Sequence, residues 1–99
     1  MSRQIAFITG ASRGLGRSMA LHLAAAGIDV IGTYRSHEED AQAVAREIEA
    51  AGGTAAMLAL DVGDSRAFDA LKQTLQDTLQ RRFGRTELDF VIHNAGNTA

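Results

Sequence analysis

The 99-residue sequence contains no cysteine, which excludes a disulfide framework, a thiol nucleophile and a thiolate metal site. Its three histidines, His22, His37 and His93, are scattered, so no metal-ligand spacing is present. Charge of either sign is not in excess: ten Lys and Arg stand against twelve Asp and Glu, a net charge of −2. No global field therefore favours nucleic acid or an anionic membrane, and any anion binding must be local. Long apolar runs are missing too. Ile5 to Ile8 is broken at once by Thr9 and Gly10, too short for a secretory segment, and nothing approaches the roughly 20 residues of a membrane span. A cytoplasmic protein with neither nucleic-acid nor membrane partners is the expectation. Repeats, low-complexity tracts and linkers are also absent, and 45% hydrophobic residues over this length suit one domain, residues 1–99.

The most informative stretch is Thr9-Gly10-Ala11-Ser12-Arg13-Gly14-Leu15-Gly16, between a short apolar run and an amphipathic stretch. Glycines at 10, 14 and 16 let a backbone turn tightly, approach a ligand closely and pack the next helix on the strand. The helix would then aim its free N–H groups and positive dipole end at an anion, as a phosphate cradle does. The generic G-x-G-x-x-G fingerprint fails here, because Met19 occupies the position of its third glycine. An ordinary tight strand-to-helix connection has the same glycines, so the rest of the chain must decide.

Ile5-Ala6-Phe7-Ile8 reads as a strand buried on both faces. Leu15, Met19 and Leu23, with Ala20 and Ala24, then share a helical face up to Gly27, a good residue to end a helix. Ile28 to Thr33 is a second strand. Ser36-His37-Glu38-Glu39 has the form of a capping box, followed by Ala41, Val44, Ala45 and Ile48 at helical spacing until Gly52. Thr54 to Leu60 is a third strand. A third helix, capped by Asp64 or Ser65, carries Phe68, Leu71, Leu75 and Leu79 and extends to Phe83. Arg81, Arg82 and Arg85 at its end read as a solvated terminus that complements the dipole. Leu88 to His93 is a fourth strand that runs into Asn94-Ala95-Gly96. His22 reads as a helix surface residue and His37 as solvated.

This βαβαβαβ pattern predicts a Rossmann-like, three-layer α/β fold with a parallel sheet in the order 3-2-1-4. In that order the connections after strands 1 and 4 leave to opposite faces, so a crevice opens at their carboxyl ends. Gly10 and Asn94 are placed on its two sides, and strands 2 and 3 deliver Tyr34-Arg35-Ser36 and Asp61-Val62 to the same edge.

Four stretches, in order over nearly the whole chain, resemble the N-terminal part of the short-chain dehydrogenase/reductase family. Thr9 to Gly16, with the form T-G-x-x-x-G-x-G, resembles the family's cofactor loop, and Asp61-Val62 its adenine-contacting pair. His93-Asn94-Ala95-Gly96 resembles its Asn-Asn-Ala-Gly turn, with His in the first place. The resemblance implies that backbone groups at Gly10, Ser12, Gly14 and Leu15, in the loop closed by Gly16, line the pyrophosphate and adenosine ribose. It implies equally that Asn94, Ala95 and Gly96 border the path toward the nicotinamide. The plainer readings are a turn carboxylate beside a helix for Asp61 and a turn residue of unusual dihedrals for Asn94.

Charge selects the cofactor. An acid near the end of strand 2 accepts from the ribose 2′-OH of NAD, whereas an arginine there accommodates the 2′-phosphate of NADP. The sequence supplies Tyr34-Arg35-Ser36 and no acid until Glu38, with Arg13 reaching from the loop. Charge-assisted bonds contribute roughly 1.5–3 kcal/mol each, so NADP is expected over NAD unless Arg35 is simply a surface residue.

Family members transfer hydride with a Tyr-x-x-x-Lys pair, a serine and an asparagine that follow the Asn-Ala-Gly turn. Here Tyr34, the sole tyrosine, has Glu38 four places on, and the sole lysine is Lys72, so no residue is a candidate for catalysis. The 99 residues by themselves are expected not to run the family's reaction. Three readings stay open: the cofactor-binding half of an NADP-dependent oxidoreductase, a non-catalytic NADP-binding module or truncated product, and a structural or assembly role. The outer edge of strand 4 is expected to pair with a second copy or with a complementing C-terminal half.

Overall fold

The structure, a computed structural model, describes residues 4–11, 14–35, 37–60, 65–84 and 87–93, without the side chains of residues 65–68 and 93. Four strands, β1 (Ile5–Thr9), β2 (Asp29–Tyr34), β3 (Ala55–Ala59) and β4 (Phe90–His93), form one parallel sheet in the order β3-β2-β1-β4. Helices α1 (Gly14–Ala25), α2 (Glu38–Ala50) and α3 (Ser65–Thr78) connect them. The expected Rossmann-like α/β fold and its strand order are what the chain adopts.

Alternation along the strands sorts the core into two layers. Ile8, Val30 and Ala55 pack with Ala20 and Ala24 of α1 and Val44, Ala45 and Ile48 of α2. Ile5, Phe7, Ile31 and Ala56 face the other way, against Leu71 of α3 and Leu79. Two successive right-handed crossovers move one way along the sheet and the third moves back, which places α3 on the face opposite α1 and α2.

Local chemistry fixes the helix ends. Ile28 N–H donates to Leu23 O at 2.9 Å and Gly27 N–H to Ala24 O at 3.0 Å; Gly53 to Ile48 and Gly52 to Glu49 repeat the motif, both at 3.0 Å. These are paired C-terminal caps that satisfy the last carbonyls of α1 and α2. At the start of α2 the N-cap is His37, without a side-chain capping bond, and Ser36 lies outside the described residues. The expected capping box begins at Ser36 and so lies partly outside the described residues; Glu38, Glu39 and Asp40 in the first turn supply negative charge to the positive dipole end. Beyond Thr78, α3 widens into a π-helical turn, Leu79–Phe83, closed by Gly84 N–H donating to Leu79 O.

Two other expectations shift. The stripe of α1 that is buried consists of Gly16, Ala20 and Ala24, small residues that bring the helix close to the sheet, while Leu15 is 67% exposed. Leu88 precedes β4 instead of opening it and packs against the α3-side core. Asp89 is the anchor at that point: its Oδ2 accepts from Ile5 N–H at 2.8 Å, and its own N–H donates to Ile5 O at 3.0 Å. Among the described residues, no helix is long and apolar enough to cross a membrane.

Candidate functional site

The glycine loop leaves β1 through Gly10, whose φ of 71° lies in the left-handed region, and enters α1 at Gly14, with φ 59°. Side-chain-bearing residues rarely adopt either conformation. A Cβ added at Gly14 would meet nothing within 4 Å, so the space beside the start of α1 is open. That opening faces the first turn of a helix with no acidic residue in it. Free N–H groups, a positive dipole end and room for a ligand together fit an anionic group such as a pyrophosphate.

The loop is held down by β2. Gly10 N–H donates to Thr33 Oγ1 at 3.0 Å, and Ala11 N–H donates to Thr33 O at 2.9 Å. Thr33 is buried, and Ala11 is fully buried in the α1 and α2 layer. Ala11 sits directly over Gly32, where an added Cβ would come within 2.5 Å of the Ala11 Cβ and 2.9 Å of Met57 Sδ. Only a glycine at 32 lets the loop lie this close. Thr33→Val removes the side-chain acceptor of the Gly10 amide, and a loss of about 1–3 kcal/mol is expected from urea unfolding.

At the carboxyl edge, Thr9 of β1 is in register with His93 of β4, so the ends of these two strands lie side by side. Tyr34 ends β2; its carbonyl accepts from Leu60 N–H at 2.8 Å, and its hydroxyl donates to Glu38 Oε2 at 3.1 Å. Desolvation, the Glu38 hydrogen bond and the Glu38 charge together raise the phenol pKa above its ordinary value. A group whose folded pKa is raised lends stability that is whole below the unfolded pKa and is lost as pH climbs through the folded one. Tyr34→Phe is therefore expected to lose less stability than the parent protein across that alkaline window, measured by denaturant unfolding at stepped pH. Arg35 is exposed just past the strand.

Thus Gly10, Gly14, Leu15 and Gly16 gather at one end of the sheet, at the carboxyl side that Tyr34 and Arg35 also follow. Ser12, Arg13, Ser36, Asp61, Val62, Asn94, Ala95 and Gly96 lie outside the described residues. Sequence reasoning missed Gly32, Thr33 and the Tyr34–Glu38 contact. A glycine inside an apolar strand is a signal of close approach and would have pointed to Gly32; nothing local marks Thr33. Behind the loop, Arg17 of α1 grips both oxygens of Glu47 of α2 at 3.0 Å, an exposed pair that ties the two helices.

Residues 4–99 match the family model described as short chain dehydrogenase. The chain belongs to the short-chain dehydrogenase/reductase family. It is 38% identical over 98 residues to a 3-oxoacyl-(acyl-carrier-protein) reductase of Synechocystis sp., covering 99% of this chain and 37% of that relative. To 3beta-hydroxysteroid dehydrogenase 1 of Eggerthella lenta it is 42% identical over 89 residues, 90% of this chain and 32% of the relative. The chain thus spans about one third of the length of the curated relatives it matches. Among solved structures it resembles the landomycin C-6 ketoreductase LanV with bound NADP and rabelomycin, with a TM-score of 0.90 and 38% identity. That match covers 96% of this chain and 39% of LanV. The promiscuous reductase LugOII is similar too, with a TM-score of 0.91 at 35% identity over 99% of this chain and 39% of that one.

Proposed function

We propose that residues 1–99 form the dinucleotide-binding unit of an NADP(H)-dependent oxidoreductase. The observation that carries this reading is the loop from Gly10 to Gly14, pinned on Thr33 and open beside the first turn of α1. Membership of an oxidoreductase family, and the NADP held by LanV, support it. Backbone groups of Gly10, Ser12, Gly14 and Leu15, in the loop that runs into Gly16, hold the pyrophosphate. Arg35 beside Tyr34 and Ser36, with Arg13, holds the 2′-phosphate. Asp61 and Val62 border the adenine, and Asn94, Ala95 and Gly96 border the route to the nicotinamide.

When bound, the nicotinamide ring exchanges a hydride with the substrate. The chain's own part is to bind, orient and select the dinucleotide. The outer edge of β4, where Val91 is 53% and Phe90 42% exposed, is the place for a second copy or a complementing C-terminal half. Calorimetric titration with NADPH and NADH tests the reading: NADPH is expected to bind with micromolar affinity, about tenfold tighter than NADH. Binding of neither nucleotide would reject it.

A further inference from the structure

β2 has a glycine in its middle, and a methionine from the next strand closes the gap this leaves. Gly32 is in register with Met57 of β3. Met57 Sδ and Cε lie 2.9 and 3.4 Å from the point that a Cβ on Gly32 would take, and the Ala11 Cβ lies 2.5 Å from the same point. Sulfur and loop methyl therefore share one notch. A flexible, polarizable thioether suits such an irregular space, and Met57 packs there against the layer that holds Ala11, Val44 and Ile48.

The filling of that notch bears on the glycine loop. Ala11 is fully buried, and its N–H and that of Gly10 are both bonded to Thr33. Packing in the notch is a further hold on the same stretch. Met57 itself is only partly buried and belongs to β3, an outer strand of the sheet, so a small solute has a short way to its sulfur.

Other targets for such a solute are few. The chain has no cysteine and no tryptophan, and of its three methionines Met1 lies outside the described residues and Met19 belongs to α1. We propose that Met57 is a site of oxidation by hydrogen peroxide, and that its sulfoxide loosens the glycine loop and, resting on the dinucleotide reading above, weakens nucleotide binding. The sulfur lone pair forms an S–O bond as the O–O bond breaks; the second oxygen leaves as water, taking up the proton of the first. Thioether is oxidised and peroxide reduced by one electron pair. The product puts a strong acceptor oxygen into an apolar layer where the amides of Gly10 and Ala11 are already committed. An acceptor left unbonded there is costly, so the side chain turns out to water and the notch beside Ala11 empties. The change is reversible, because methionine sulfoxide reductases return each epimer to the thioether.

The experiment compares the parent protein, Met57→Leu and Met19→Leu before and after mild hydrogen peroxide, with peptide mass mapping to locate the added oxygen. Leucine keeps the apolar volume and resists oxidation. The readouts are hydrogen exchange of the Gly10 and Ala11 amides, measured without nucleotide, and the NADPH dissociation constant. In the parent and in Met19→Leu, peroxide is expected to modify Met57, to speed exchange of both amides about fivefold or more, and to weaken NADPH about five- to tenfold. Sulfoxide reductases are expected to reverse both effects. Met57→Leu, whatever its starting affinity, is expected to change less than about twofold in either readout. An unmodified Met57 under peroxide that oxidises free methionine would overturn the proposal. So would a Met57 sulfoxide with unchanged exchange or affinity, or an equal loss in Met57→Leu. A parent that binds no nucleotide before oxidation would reject the dinucleotide reading instead, and exchange at Gly10 and Ala11 would then decide the proposal by itself.

Discussion

Gly32→Ala is expected to destabilise the protein by about 1–2 kcal/mol and to weaken NADPH at least tenfold. The effect comes from one added carbon atom. It would be built 2.5 Å from the Ala11 Cβ and 2.9 Å from Met57 Sδ, both inside the range that real Cβ atoms avoid. Met57 ends in a flexible thioether and can swing aside. Ala11 cannot, because its Cβ is carried on the loop backbone and its N–H is committed to Thr33 O. Relief must come from lifting the loop, which lengthens that bond and the one from Gly10 to Thr33 Oγ1. The alanine also restricts the unfolded chain, a gain of about 0.4–1 kcal/mol that offsets part of the loss. Adding Ala11→Gly removes the clashing atom, so the double variant is expected to recover binding; a double-mutant cycle of unfolding and titration measures the coupling. A single variant that binds NADPH like the parent would show that loop height does not matter to the ligand.

Arg35→Asp is expected to weaken NADPH about 10- to 100-fold and NADH less than about threefold. The substitution removes a charge-assisted contact and puts a repelling charge beside a 2′-phosphate, in a region where Glu38, Glu39 and Asp40 already place three acids. Arg35→Lys keeps the charge without the planar fork and is expected to fall between the two. Dissociation constants for both nucleotides decide the matter, and equal losses would place Arg35 away from the phosphate.

The fold was open to reading because it depends on short-range pattern. Four apolar runs separated by three helical periods leave one economical parallel arrangement, and Ala41, Val44, Ala45 and Ile48 are all buried as their spacing required. Errors arose where a local rule met a tertiary contact. Leu15 has the right period for a buried face, yet the small residues Gly16, Ala20 and Ala24 take that face because the helix lies close to the sheet. The loop glycines were legible because a turn at positive φ asks for that residue type, as at Gly10 and Gly14. Thr33 was not, since its importance comes from lying beneath a loop 23 positions away. Asp89, bonded to the first residue of β1, is the same case at longer range.

That longer range has a kinetic consequence. The Gly10–Thr33 and Asp29–Thr54 bonds close spans of 23 and 25 positions, whereas the Ile5–Asp89 bond closes one of 84. Closing the longer span from an open chain costs about 1 kcal/mol more in loop entropy. β1, β2 and β3 with their two helices can therefore assemble from neighbouring segments, and β4 joins a sheet that already exists. Of these three bonds, the one that ties β1 to Asp89 just before β4 therefore carries the largest loop-closure cost when formed from the open chain.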